Sequence, residues 1–368
     1  MMGHQKTLKT ILDLAASSGF LIKSLLPKYN IDQYKIGPVG LFLCQNINLE
    51  WFYNSVINKE ITVCMNRGDI NDTFDFTKRL CSEKLPFGIT SSQKQIKSYN
   101  SEEIVSYYKK ASAGEIFNLE DILRHEDDVF LKFIIFVNPT DSTRLFHHWQ
   151  KQRRIWFRKF SAAPGKYSLT DIKNDENTIQ TVDILANYPW GSQHLETLTL
   201  NRCDSNFTNQ QLQFKERKFI TAHTITSQVN LPILFLNTLC DAYQEQSYQD
   251  KSRSLFLFHR KLAPYKISFA ISGTNQTAIK ELEDLALYLC KQLRTNHFST
   301  LYLPSSSKNT LEAQYKQYDL LGIPYTILLN ERTLKDGIAH FRSRDTTLKE
   351  QVHVTEIVNH VELLFKNY

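Results

Sequence analysis

The sequence predicts an α/β (α+β) protein of about two domains, and three observations carry that expectation. Its 368 residues are 42% hydrophobic and 22% charged, which is enough to bury a sizeable core and long enough for about two domains. From Leu262 onward strand-like and helix-like periodicities alternate, the pattern of a layered α/β unit. Ahead of that, Asp128 to Val137 (DVFLKFIIFV) reads as a buried strand, closed by Asn138-Pro139 and followed by a tryptophan-rich amphipathic helix from about Ser142 to Phe160.

At the N-terminus, Lys6, Lys9, Lys23 and Lys28 surround Leu8, Ile11, Leu12, Leu14, Phe20, Leu21 and Ile22, with Asp13 the one acid before Asp32. Such a stretch suits a short mitochondrial presequence, which is amphipathic, basic and poor in acids, although arginine is absent. It also suits the first helix of a mature chain, because Leu8, Ile11, Leu12 and Ala15 share one helical face, or a short presequence that merges into such a helix. Lys35 to Leu43 ends in a strand-like apolar run, Leu49 to Ile57 (LEWFYNSVI) has helical spacing, and Asp171 to Gln180 is polar and reads as a loop. The domain boundary is placed in the polar stretch Gln244 to Arg253 (QEQSYQDKSR) or just after it, giving a core over 1–260 and a smaller domain over 261–368.

In the smaller domain, Lys266 to Ile271 is a strand and Thr277 to Arg294 a helix with Ile279, Leu282, Leu285, Ala286, Leu289 and Leu293 on one stripe. Leu301 and Leu303 flank a short strand. Leu311 to Leu321 is a helix ended by Gly322, with Pro324 blocking its continuation. Tyr325 to Leu329 is the next strand, Asp336-Gly337 a tight turn into Ile338 to Phe341, and the last helix points Val354, Ile357, Val358, Val361, Leu364 and Phe365 inward.

Composition excludes several functions. The longest apolar runs, such as Phe133 to Val137 and Leu231 to Leu236, are far shorter than the roughly 20 residues of a membrane-spanning helix, so a soluble protein is expected. The cysteines at 44, 64, 81, 203, 240 and 290 form no CxxC pair, and the histidines form no HExxH. The thiols therefore read as small buried apolar groups in a reducing compartment, and neither a metal nor another cofactor is expected.

The formal net charge of +6 is unevenly spread. Ser142 to Thr170 holds Arg144, Lys151, Arg153, Arg154, Arg158, Lys159 and Lys166 without an acid, interleaved with Trp149, Trp156, Phe157 and Phe160. A block of this kind suits a polyanion, since clustered cations displace condensed counterions from phosphates. It also describes an amphipathic helix with aromatic residues in the core and cations in water. The candidate phosphate contacts are Lys151, Arg153, Arg154, Arg158, Lys159 and Lys166.

Leu262 to Lys266 (LAPYK), Tyr318 to Tyr325 (YDLLGIPY) and Phe341 to Lys349 (FRSRDTTLK) resemble the anticodon-binding domain that closes class IIa aminoacyl-tRNA synthetases. Segments ahead of them are similar to a glycyl-type class II core: Lys35 to Leu43 with Glu50-Trp51, Leu85 to Gly88, Phe133 to Val137 with Trp149 and Trp156, and Tyr188 to Gly191 (YPWG) with Leu195-Glu196. The resemblance implies a synthetase-like antiparallel-sheet core followed by a mixed-sheet anticodon-binding-like domain. Its chemistry is missing, however. Counting from Pro86, the motif 2 Phe-Arg-x-Glu falls on about Ile96, Lys97, Ser98 and Tyr99, and lysine lacks the bidentate fork of arginine. The motif 3 region, Asn230 to Ala242, contains neither glycine nor arginine, so adenylate formation should be lost. Glu196 could match the glutamate that holds the substrate amine, but a core carboxylate with a structural partner is the favoured reading.

Trp149 to Phe160 (WQKQRRIWFRKF), Tyr188 to Gly191, His259 to Lys266 (HRKLAPYK) and Gly337 to Lys349 (GIAHFRSRDTTLK) resemble the accessory subunits of mitochondrial DNA polymerase gamma, which keep this scaffold without catalytic groups. That family implies a non-enzymatic processivity factor of mitochondrial DNA replication in the matrix nucleoid, without a cofactor, bound to the catalytic subunit and to primer-template DNA. The partner-facing candidates are Gly337, Phe341, Arg342, Arg344, Asp345 and Lys349. A local ion-pair network is favoured for at least one of the two arginines. About 30 mostly polar residues separate Phe87 from Ile116 to Leu123, too few for the dimer-forming hairpin of some members, which implies one accessory chain per polymerase and no homodimer. The alternatives are a free-standing tRNA-binding module and a divergent class II synthetase.

Overall fold

Strands whose burial alternates residue by residue, such as Ile179–Tyr188 and Gly191–Asn201, need one covered face. Strand Asp128–Val137, buried along its last five residues, needs two. Both demands are met in one large sheet. The computed structural model describes residues 2–26, 31–68, 70–97, 119–124, 126–175, 178–208, 210–215, 219–248, 251–304 and 306–366. The chain divides into two compact units, Met1–Thr238 and Leu239–Tyr368.

The first unit opens with helix α1 (Met2–Ser17) and the antiparallel hairpin β1 (Leu21–Leu26) and β2 (Ile31–Ile36). Leu8, Ile11, Leu12 and Ala15, on one face of α1, are buried. The run Val39 to Leu43, expected as a strand, is helical within α2 (Pro38–Phe52). Gly37 is extended, Pro38 occupies the first turn, and Gly40, Leu43, Cys44, Ile47 and Trp51 form the buried stripe. A proline pre-set for helix entry outweighs a short apolar run.

The large sheet contains β3 (Val63–Asn66), β4 (Phe87–Gln95), β5 (Asp128–Val137), β6 (Tyr167–Leu169), β7 (Lys173–Asp175), β8 (Ile179–Tyr188), β9 (Gly191–Asn201) and β12 (His223–Asn230). Its order is β3-β4-β5-β12-β9-β8-β6 with β7 also on β8, and every pairing except β3–β4 is antiparallel. Two small strands, β10 (Gln213–Lys215) and β11 (Phe219–Thr221), form a separate hairpin. Asp171 to Gln180, expected as a loop, includes β7 and the start of β8, because polar residues can continue an exposed ladder. Helices α3 (Asn71–Leu80), α4 (Leu119–Ile122) and α5 (Ser142–Phe160) complete this part. Phe74, Phe87, Phe136, Phe207 and Phe214 make an aromatic cluster between α3, the sheet and the β10–β11 hairpin.

The division between units falls inside α6 (Leu231–Ala242). The polar stretch Gln244 to Arg253, read as a boundary, forms most of an antiparallel hairpin, β13 (Tyr243–Tyr248) with β14 (Lys251–Phe256), within the second unit. Leu255 and Phe256 are its buried apolar end.

In the second unit, β15 (Ile267–Ser272) pairs in parallel with β16 (Thr300–Leu301) and β17 (Tyr325–Asn330), and β17, β18 (Ile338–Ser343) and β19 (Lys349–His353) follow antiparallel. This is the mixed-sheet α/β layer the periodicity predicts. Helices α7 (Gln276–Thr295) and α10 (Ile357–Lys366) cover one face through Leu282, Leu289, Leu293, Ile357 and Val361. Helix α8 (Leu311–Leu320) packs Tyr318 with Ala270, Ile323 and Leu328 in a second cluster. Asp336-Gly337, expected as a bare turn, ends a short helix α9 (Glu331–Asp336), where Asn330 caps the first turn and Gly337 is left-handed at φ 72°. The short-insert expectation and the Ser98 and Tyr99 positions of motif 2 lie outside the described residues.

Candidate nucleic-acid interface

Helix α5 is amphipathic by aromatic spacing: Phe146, Trp149, Gln150, Arg153, Trp156, Phe157 and Phe160 recur at intervals of three or four and are all buried. Trp149 packs on Phe133 of β5 at 4.9 Å between ring centres, and Phe157 stacks on Tyr167 at 5.5 Å. The opposite face carries the cations. Lys151 and Lys159 are exposed, with Arg144, His147 and His148 beside them, and Arg154 and Arg158 are half-buried. Arg158 donates to the Tyr167 carbonyl at 3.3 Å, and Lys166 lies 5.0 Å above the Tyr188 ring. Tyr188 is itself stacked on Trp190 at 4.7 Å, at the turn between β8 and β9.

Arg153 does not belong to this surface. It is 0% exposed and donates from Nε and Nη2 to Glu196, at 2.8 and 3.0 Å, and from Nη1 to Asn54 Oδ1 at 3.0 Å. Glu196 is equally buried and also accepts a short hydrogen bond from the Ser227 hydroxyl. The assignment of Arg153 to phosphate contact is thus corrected: its helical phase, shared with Trp149, Trp156 and Phe160, turns it inward, and each of its three nitrogens is bonded to Glu196 or Asn54. Glu196 has the structural partner expected of a core carboxylate.

A separate cavity of about 480 Å³ in the first unit is lined by Lys97, Glu120, Asp121, Arg124, Asp128, His194, Thr197 and Asn230 among others. Lys97, at the position compared with the motif 2 arginine, is paired with Asp128 at 2.8 Å, and Asn230 donates to the same carboxylate at 2.6 Å. Lys94 hydrogen-bonds Asp127 and holds that carboxyl below the usual range. Three carboxylates against Lys97 and Arg124 make a poor cradle for a triphosphate. Among the described residues no cluster has the makeup of a metal site.

Of the six partner-facing candidates, the structure buries three. Phe341 is a core residue against Tyr325 and His360. Arg342 pairs with buried Asp319 at 3.2 Å, which Arg253 also contacts. Arg344 donates to the carbonyls of Phe256, Gly322 and Phe258 at 3.0, 2.7 and 2.8 Å, tying the β14 end to the turn after α8. These three are corrected from contact residues to internal braces, because Phe341 is packed in the core and the two guanidinium groups are bonded to Asp319 and to backbone carbonyls inside the fold. Gly337 is a helix cap whose added Cβ would meet His353. Asp345 is 61% exposed and Lys349 is exposed, and Leu348 between them is 69% exposed. Leu348 was not a sequence candidate, and its place between a buried arginine and an edge strand is what reveals it.

Residues 269–363 match the Anticodon binding domain family. The mitochondrial DNA polymerase subunit gamma-2 of Xenopus laevis is 29% identical over 294 residues, 76% of this chain and 59% of that protein. Its counterpart in Drosophila melanogaster is 28% identical over 267 residues, 70% of this chain and 71% of that protein. A glycine–tRNA ligase of Borreliella afzelii (strain PKo) is 24% identical over 275 residues, 70% of this chain and 60% of the ligase. The chain thus spans about 60 to 70% of the length of these relatives. It is a relative of the gamma-2 subunits of DNA polymerase and, at lower identity, of glycine–tRNA ligases, with a synthetase-like core and a C-terminal anticodon-binding domain.

Proposed function

We propose that this chain is a non-catalytic accessory subunit of mitochondrial DNA polymerase gamma that acts in the mitochondrial matrix nucleoid. It binds the catalytic subunit as one chain per polymerase, holds primer-template DNA and raises processivity. The first unit, Met1–Thr238, is the synthetase-like core in this reading, and the second, Leu239–Tyr368, is the partner-binding domain. The supporting observation is the pairing of the groups compared with the synthetase site: Lys97, the one cation at the motif 2 position, is neutralised by Asp128 in the cavity, and Glu196, buried outside its lining, is locked to Arg153 rather than open to a substrate amine. Similarity to the gamma-2 subunits supports the choice of partner.

DNA is held by phosphate contacts from Lys151, Arg154, Lys159 and Lys166, with Arg158 half-buried at the edge of that row. The polymerase meets the tip formed by Asp345, Leu348 and Lys349. Weak DNA contacts, added at high effective concentration by a bound subunit, slow departure from the primer without new chemistry. The test is paired. Purified protein should give no ATP–pyrophosphate exchange with glycine, and it should co-elute with the gamma catalytic subunit. Exchange above the protein-free blank would establish the divergent-synthetase reading, and tight tRNA binding without co-elution would establish the tRNA-binding module.

A further inference from the structure

The turn between β8 and β9 carries the one tryptophan that is not buried. Trp51, Trp149 and Trp156 are 3%, 4% and 6% exposed, whereas Trp190, the fourth, is half-buried in the two-residue turn Pro189-Trp190 that joins Tyr188 to Gly191. Its ring lies nearly parallel to that of Tyr188, at 6° and 4.7 Å. One indole face is therefore covered, and Nε1 is covered too, with no acceptor among the described residues. The side-chain surface left for contact is the outer face and the carbocyclic edge.

This shelf is held rigidly. The Tyr188 hydroxyl donates to Asn237 Oδ1 at 2.8 Å, Asn237 Nδ2 donates to the Tyr167 hydroxyl at 3.0 Å, and Tyr167 stacks on Phe157 of α5. The bracing thus runs to the same helix whose other face carries Lys151, Arg154 and Lys159. Lys166 adds a cation beside the shelf, with Nζ 5.0 Å from the centre of the Tyr188 ring. Neither 161–170 nor 184–193 contains an acid. The approach is open: a Cβ added at Gly165, next to Lys166, meets no atom within 4 Å, and one added at Gly191, next to Trp190, meets only the Gln193 amide nitrogen at 4.0 Å.

A fixed aromatic face with a cation beside it suits a nucleotide whose base is unpaired. The base stacks on the ring, whatever its identity, because every base has a π-face, and its phosphate goes to the ammonium. Bases inside a duplex have both faces covered by their neighbours, so a single strand is the form that can use the shelf. We infer that Trp190 stacks on an unpaired base of single-stranded DNA, with the adjoining phosphate on Lys166. The inference rests on the DNA-holding reading above and adds that the strand gripped at this turn is the unpaired template rather than the duplex.

The test titrates the full chain with a short oligothymidylate and with a strand of equal length that is abasic throughout, following intrinsic tryptophan fluorescence and the anisotropy of end-labelled strands. Both strands carry the same phosphates, so a preference between them reports on the bases. The wild-type chain should bind oligothymidylate about tenfold more tightly than the abasic strand, with quenching of its tryptophan emission. Trp190→Leu should abolish the quench and bring oligothymidylate binding down to that of the abasic strand. Trp190→Phe, which keeps an aromatic face on Tyr188, should retain part of the preference, which separates lost stacking from a misfolded turn. Equal binding of the two strands by the wild-type chain would overturn the inference and leave the phosphate contacts standing, whereas binding of neither would overturn both. A preference for oligothymidylate that survives Trp190→Leu would also overturn it, since the stacking would then lie elsewhere.

Discussion

Replacing Arg153 with methionine distinguishes a buried brace from a phosphate contact, because the two roles put the loss in different measurements. Arg153 and Glu196 are both 0% exposed and joined by Nε and Nη2 hydrogen bonds. Methionine keeps the stem packed beside Trp156, whose ring lies 4.6 Å from the guanidinium carbon, but leaves the Glu196 carboxylate with Ser227 alone. Removing one partner of a buried ion pair costs about 3–5 kcal/mol. For a unit of this size each kcal/mol moves the melting midpoint by about 2–4 °C, so a fall of about 6–20 °C is expected. Adding Glu196→Leu should recover most of it, since an apolar pair of similar volume removes the stranded charge. The assays are thermal unfolding followed by circular dichroism and a salt titration of primed-duplex binding on whatever fraction remains folded. A single variant that melts within about 2 °C of wild type while its salt slope drops would refute the buried-brace argument and return Arg153 to the DNA surface.

Other expectations follow the same geometry. Charge reversal at Lys151, Arg154 and Lys159 together should weaken duplex binding and flatten the salt slope by about 2.7, with stability changed by no more than about 0.5 kcal/mol per site. Arg344→Leu strands the carbonyls of Phe256, Phe258 and Gly322 and should destabilise the second unit by about 3 kcal/mol or more in denaturant unfolding, whereas Leu348→Ser at the exposed tip should leave stability within about 0.5 kcal/mol and weaken polymerase binding. Gly337→Ala forces a left-handed residue and a contact with His353, for which a loss of about 1–3 kcal/mol is expected in the same measurement. Lys59, which lies on the Trp149 ring and whose charge is disfavoured first by burial and then by Arg153, binds its proton less tightly folded than unfolded, so the unfolded chain holds the extra proton between pH about 8 and about 10.4 and stability from this group rises with pH across that window. Lys59→Met should therefore be more stable than wild type at pH 7, with the gap in melting midpoint closing toward pH 10.

The layer order of the second unit was legible because helices α7 and α10 carry apolar stripes and the end of α8 has a chemical mark, Gly322 before Pro324. Where reading failed, a local signal was outvoted. Val39 to Leu43 looks like a strand until Pro38 is taken as a helix start, and only the extended Gly37 before it makes that start visible. Arg153 was counted with its sequence neighbours as a surface cation, although its spacing of four from Trp149 and three from Trp156 already placed it on the apolar stripe. Arg342 and Arg344 alternate with Phe341 and Ser343 along β18 and past its end, but their burial depends on Asp319 and on the carbonyls after β14 and α8, far off in sequence. Long-range partners of that kind leave no periodic trace. The pairing of Lys97 with Asp128 is similar, for it depends on β4 and β5 being antiparallel neighbours.

The most direct measurement is the length of DNA made per binding event by the gamma catalytic subunit on a primed single-stranded template, with excess unlabelled trap, in the presence and absence of this chain. The account predicts longer products with wild-type chain, shorter ones with Leu348→Ser, and no change on omitting ATP and glycine. Product lengths unaffected by the wild-type chain, at concentrations that saturate its binding, would contradict it.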